Sequence, residues 1–137
     1  MSLNAIIKHT DVIGYKICYI YNKLRNNFVL IKLRIPHNAI IIKSKDHKLR
    51  TNLAQVLNIW AINIFESQLH KLDDTEIAFS IYDPAFKYQI NKIIIPNTFD
   101  SSNKNTCSPG IHFFLNSHDA LSYSGLADMI QKIEKSI

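Results

Sequence analysis

The chain has 137 residues, 47% of them apolar and 20% charged, with a net charge of +5. This is the size and composition of one domain that can bury roughly two thirds of its unfolded surface without disulfides or a metal, and it excludes a disordered chain. No apolar run reaches the roughly 20 residues that a bilayer-spanning helix needs, and Met1 to Thr10 shows no basic-then-apolar leader, so the expectation is a non-secreted protein with Cys18 and Cys107 as reduced thiols.

Aromatic and β-branched residues crowd Gly14 to Ile20. Their alternation predicts a strand with Tyr15, Ile17, Tyr19 and Tyr21 on one face and Lys16, Cys18 and Ile20 on the other. Asn22 to Asn27 reads as a turn, because Asn tolerates left-handed backbone and bonds locally. Phe28 to Ile35 is the clearest strand, with Val29, Ile31, Leu33 and Ile35 on one side and Lys32 and Arg34 opposite. Together these segments predict a β-hairpin over residues 15–35.

Pro36 ends the second strand, since it cannot donate to a ladder. A short strand is expected at Ile40 to Lys43, and the polar Ser44 to Asn52 reads as a loop. Ala54 to Phe65 suits both periodicities: Leu57, Ile59, Ala61 and Phe65 alternate, whereas Leu53, Val56, Leu57 and Trp60 fit a helix. A strand near residues 54–60 is the expectation. Asp73-Asp74 and Tyr82-Asp83-Pro84 mark turns.

Short strands are expected at Phe86 to Ile90 and Lys92 to Ile95, around Asn91. Asn97 to Pro109 reads as an exposed loop and Gly110 to Leu115 as a further strand. Asn116 or Ser117 caps a final helix with Asp119 in its first turn and Lys132 and Lys135 in its last, as the helix dipole favours. Leu121, Ala127 or Met129, Ile130 and Ile133 supply its buried side. The predicted fold is α+β, a single domain over residues 1–137: a small, mostly antiparallel sheet of short strands with a C-terminal helix packed on it.

Gly14-Tyr15-Lys16, Ile31-Lys32-Leu33-Arg34-Ile35-Pro36, Arg50 with Ala54 and Val56-Leu57, and Tyr82-Asp83-Pro84 with Phe86 and Tyr88 recur in one order with Cys107-Ser108-Pro109-Gly110-Ile111-His112-Phe113-Phe114, Ala120 and Tyr123. With these residues the chain resembles an uncharacterised domain of large DNA viruses, which often follows a run of pentapeptide repeats. The chain carries no such repeats, and Asn91 stands where the pattern has Gly. The resemblance implies a viral origin and no particular activity. Codon-level bias agrees: Ile (23), Asn (13) and Lys (13) are abundant while Gly and Arg number three each, the usage of an A/T-rich genome. A weaker likeness joins Gly110-Ile111-His112-Phe113-Phe114, Ala120 and Tyr123 to the second-strand motif of ADP-ribosyltransferases, which implies that His112 would stand where an aromatic packs against nicotinamide. No first-strand His-Gly or Arg-Gly and no suitably placed catalytic Glu accompany it.

Two groups of residues suggest sites. Tyr15, Cys107, Gly110, His112 and Tyr123 are the candidate ligand-binding set. Cys107, His112 and His118 lack a third partner for nucleophilic catalysis and the paired spacing of a zinc site, so neither a catalytic residue nor a metal is assigned. Lys16, Lys23, Arg25, Lys32 and Arg34 form a candidate basic face among aromatic residues. They belong to a first half (residues 1–50) with ten Lys/Arg against two Asp, a net of +8, whereas residues 51–137 carry six against nine, a net of −3. Such asymmetry suits an anionic partner, although part of the Lys excess follows from the A/T-rich usage.

The expected function is a non-enzymatic binding or interaction module with no cofactor, virus-encoded and acting in the host cytoplasm or the virion, with a viral or host protein as partner and no membrane. Two alternatives stand beside it: a degenerate ADP-ribosyltransferase-like nucleotide-binding domain, and a basic single-stranded nucleic-acid binder using the N-terminal half.

Overall fold

Two ten-residue antiparallel strands form the spine of the computed structural model, which describes residues 10–21, 26–43, 48–66, 68–81, 86–96, 98–99 and 110–126. β1 (Val12–Tyr21) and β2 (Asn26–Ile35) pair along their whole length, from Val12 opposite Ile35 to Tyr21 opposite Asn26. The expected hairpin pairing is therefore present; of the turn expected over Asn22 to Asn27, Asn26 and Asn27 belong to β2, and residues 22–25 lie outside the described residues. β5 (Ala54–Asn63) adds to the other side of β2, which settles the ambiguous segment as a strand. A bulge interrupts this pairing between Lys32 and Leu33, leaving Leu57 as the extra residue between Asn58 and Val56. β6 (Gln68–Lys71) and β9 (Ile93–Ile94) pair with β5, while β7 (Ala78–Phe79) and β8 (Lys87–Tyr88) extend the sheet beyond β1.

A second sheet holds β3 (Ile41–Lys43), β4 (Leu49–Thr51) and β10 (Ile111–Phe113), with β4 in the centre. The sheets meet where Tyr15 and Phe114 exchange backbone hydrogen bonds at 2.7 and 2.8 Å. Strand alternation then sorts the core into two layers. Cys18, Val29, Ile31, Leu33, Ile35, Val56 and Ile59 point from one face of the large sheet towards Ile41, Leu49, Ile111 and Phe113 of the small one. On the opposite face Ile17, Leu30, Trp60 and Ile62 lie beneath Ala120 and Leu121 of α1 (Ser117–Tyr123). The α+β fold is thus dominated by its sheets, with one short helix among the described residues.

Three local expectations need correction or refinement. Residues 44–52 are not all loop, because Leu49, Arg50 and Thr51 are buried at the centre of the second sheet. A pattern reading assigns Arg and Thr to solvent and misses a strand that buries both. In the segment read as an exposed loop over 97–109, Phe99 is half-buried and packs on the molecule, as described below.

The helix also closes well before Lys132 and Lys135, which lie outside the described residues, as do Ala127, Met129, Ile130 and Ile133. Asn116 caps its start by accepting the Asp119 amide at 2.8 Å. Its end is a glycine-type stop. Leu126 N–H bonds Leu121 O at 2.8 Å, Gly125 N–H bonds Ser122 O at 3.2 Å, and Gly125 supplies the left-handed φ of +77°. Between β8 and β9, Asn91 adopts φ +71°, which explains why Gly would also suit that position.

Candidate functional site

Strand pairing places side chains of consecutive partners on one face. Asn58 pairs with Lys32, Lys32 with Tyr15, and Tyr15 with Phe114, so these four form one cross-strand row on the helix-bearing face of the large sheet. At its end the Phe114 ring lies 5.4 Å from the Tyr123 ring. The Lys48 ammonium stands 4.2 Å from the Tyr123 ring centre and donates to its hydroxyl. Helix α1 positions Tyr123 by burying Ala120 and Leu121, and β4 positions Lys48 just before its first residue. Two of the candidate ligand residues, Tyr15 and Tyr123, therefore meet through Phe114.

His112 lies two residues before Phe114 and shares its side of β10 by alternation. It pairs across the ladder with Arg50, which pairs in turn with Ile42. Arg50 is fully buried, and its guanidinium carbon sits 5.5 Å from the centre of the Phe99 ring. Arg50, His112 and Lys48 have bonding partners beyond these contacts. Gly110 completes the arrangement. A Cβ there would meet the Phe99 ring at 3.1 Å in a backbone of φ +146°, so glycine is needed for Phe99 to close over Arg50. Cys107 lies outside the described residues. Sequence reasoning gave Lys48, Arg50 and Phe99 no site role because all three fall in segments read as polar loop, although Arg50 is among the residues that carry the family resemblance.

The proposed basic face divides. Lys32 and Arg34 share the helix-bearing face, whereas Lys16 points to the core side, and Lys23 and Arg25 lie outside the described residues. Arg34 is committed to Asp11 at 2.7 Å and Gln55 at 3.1 Å. Asp11 also accepts the His37 amide at 2.8 Å, and that bond, followed by the Arg34 contact, holds its carboxyl below the usual carboxylate range. Lys16 donates to the hydroxyl of buried Tyr88 at 2.7 Å, with its ammonium 4.7 Å from the ring centre.

Burial lowers the affinity of Lys16 for its proton and pushes the neighbouring Cys18 thiol up to about 11 from a reference of 9.0. These shifts oppose each other at alkaline pH. Cys18 binds its proton more tightly when folded, so its contribution is intact below pH 9 and lost as pH rises towards 11. Lys16 has the reverse sign, because the unfolded chain holds that proton more tightly, and stability recovers as pH rises to the reference value of 10.5. Cys18→Ala should start less stable, yet lose roughly 1–2 kcal/mol less than the wild type between about pH 8.5 and 10.5. Urea midpoints across that range measure this, and parallel curves for the two proteins would contradict it.

Residues 4–120 match the model of a family described as "Family of unknown function (DUF5758)". The chain belongs to this family. The match spans β1 to the middle of α1 and so includes Tyr15, Lys48, Arg50, Gly110 and His112. Within the family's span lies every strand of both sheets.

The chain is also 33% identical over 100 residues to the "Uncharacterized protein L223" of Acanthamoeba polyphaga mimivirus, covering 69% of this chain. It is 32% identical over 135 residues to the "Uncharacterized protein L227" of the same virus, covering 85% of this chain. It spans 61% of the first relative's length and 79% of the second's. Both relatives are viral, in agreement with the viral domain that the sequence resembles. No solved structure matches the chain.

Proposed function

We propose that the domain is a virus-encoded, non-enzymatic interaction module that docks a protein partner through the tip of its β5–β6 hairpin. The observation that carries this reading is Phe65, 93% exposed, beside Ile64 at 48%. An aromatic side chain left in water gains by leaving it, and ordered aromatic anchors dominate the energetics of protein interfaces.

The tip is also held in shape. Glu66 N–H donates to the Asn63 side-chain oxygen at 3.0 Å, and the flanking strands pair from Asn63–Gln68 to Trp60–Lys71. A pre-organised anchor loses less entropy on docking. Glu66 is the only charged residue among 61–68, which argues for a protein pocket rather than an anionic membrane surface.

Affinity purification from infected cells with wild-type and Phe65→Ser chains tests the reading. Phe65 makes no core contact, so the variant should melt within about 1 kcal/mol of the wild type. A specific partner held at high salt by the wild type should be lost by Phe65→Ser and kept by Ile93→Ser, a substitution at another exposed apolar position. Equal capture by all three chains would refute the hairpin tip as the docking element.

A further inference from the structure

From the row that crosses both sheets we infer a second binding surface, independent of the hairpin tip, that takes single-stranded nucleic acid along Asn58, Lys32, Tyr15, Phe114, Tyr123 and Lys48. The ladder links the first four, and ring and cation contacts continue the line to Lys48. Strands are spaced about 4.8 Å apart, so Asn58 to Phe114 alone spans about 14 Å. The line thus offers an aromatic segment with a lysine towards each end.

Exposure and charge favour an unpaired strand. Tyr123 is 52% exposed, and Asn58, Lys32, Tyr15, Phe114 and Lys48 are each half-buried, open enough for contact yet fixed by packing. Lys32 makes no ion pair or side-chain hydrogen bond among the described residues. Asp11 is offset by the Arg34 guanidinium at 2.7 Å, whereas Asp119 is hydrogen-bonded by the neutral Asn116 amide at 3.2 Å and keeps its charge. Lys32 and Lys48 are the cations of the row itself.

Aromatic faces accept any unstacked base, and lysines flanking them meet the phosphates, the combination that single strands require. A duplex hides its base faces and would use only the lysines. A β-bulge also lies under this row, at Lys32, where it breaks the regular pairing and re-aims side chains.

Fluorescence anisotropy with a labelled oligothymidylate of about 12 nucleotides tests the inference, alongside an abasic strand of equal charge and a duplex. The full chain should bind the oligothymidylate more tightly than either control. Tyr123→Ala should weaken binding about tenfold, and Tyr123→Phe, which keeps the ring, should stay within about twofold. Lys32→Gln should reduce the slope of log K against log salt by about 1.

Phe65→Ser should bind like the wild type, which separates this surface from the hairpin tip. Thermal melting confirms that each variant is folded. Equal affinity for the abasic strand, or an unchanged affinity in folded Tyr123→Ala, would leave only nonspecific charge attraction and overturn the assignment.

Discussion

Gly14→Ala is expected to destabilise the domain by about 2 kcal/mol, against the usual direction for a glycine replaced in a strand. Gly14 has no left-handed backbone to preserve, so alanine would ordinarily help by reducing the freedom of the unfolded chain, by about 0.4–1 kcal/mol. Space decides the sign. A Cβ at Gly14 would stand 2.6 Å from Cδ2 of Phe113 and 3.0 Å from Cδ1 of Ile35. Phe113 is a rigid ring at the junction of the two sheets, and both neighbours are buried, so neither has an empty volume to enter.

Overpacking of this kind costs about 1–3 kcal/mol, and in a domain of this size the net loss lowers Tm by roughly 5–10 °C. Phe113→Leu on its own opens a cavity and also destabilises, but combined with Gly14→Ala it should restore part of the loss. A coupling of at least about 0.5 kcal/mol in the double-mutant cycle is the expected sign of direct contact. A Gly14→Ala protein that melts at or above the wild type would show that the close approach of the sheets at this point is not a constraint.

That contact also shows what could be read from the residues and what could not. The hairpin was legible because Val29, Ile31, Leu33 and Ile35 alternate cleanly with Lys32 and Arg34, and the structure buries the first set while leaving the second half-exposed. β5 was less so, since its apolar residues fit two periodicities. Its burial on both faces explains this: Val56 and Ile59 point to one layer and Trp60 and Ile62 to the other. Alternation fades when both sides of a strand are core.

Of the second sheet the outer strands were legible, near Ile40 to Lys43 and Gly110 to Leu115, but its central strand Leu49-Arg50-Thr51 was hidden in a segment read as loop, and β10 joins it from about sixty residues further along the chain. Nothing local announces the β10–β4 pairing. For the candidate site, Tyr15, His112 and Tyr123 were named from the sequence, but their relation depends on Phe114 bridging β1 and on Lys48 lying over Tyr123. Splitting of the basic face depends on the register of the hairpin, which alternation within each strand does not give. Lys16 opposes Ile31 while Lys32 opposes Tyr15, so the even-numbered residues of two antiparallel strands need not share a side.

Arg50→Ala should be the most damaging single change in the small sheet, costing about 3–5 kcal/mol. Arg50 occupies the middle strand, with Ile42 beside it on β3 and His112 on β10, and no part of it reaches solvent. Alanine removes three contributions together: the packed aliphatic stem, the guanidinium over Phe99, and the further bonding of the residue. Arg50→Met keeps the stem volume and loses only the polar part, so it should be the milder variant. Arg50→Lys keeps the charge but not the planar group that stacks on the ring, and is not a conservative change here.

The contribution of the ring is separable. Phe99→Leu removes the cation–π contact, worth roughly 1–2 kcal/mol when desolvated, and should cost much less in an Arg50→Met background than in the wild type. Hydrogen exchange distinguishes local from global loss. With Arg50→Ala, the amides of Ile111–Phe113 and Ile41–Lys43 should exchange faster than those of Val29–Leu33, because the small sheet loses its centre while the β1–β2–β5 ladder keeps its own. If Arg50→Ala unfolds within about 1 kcal/mol of the wild type, with uniform protection in both sheets, the buried guanidinium is not what joins Phe99 and β10 to β4.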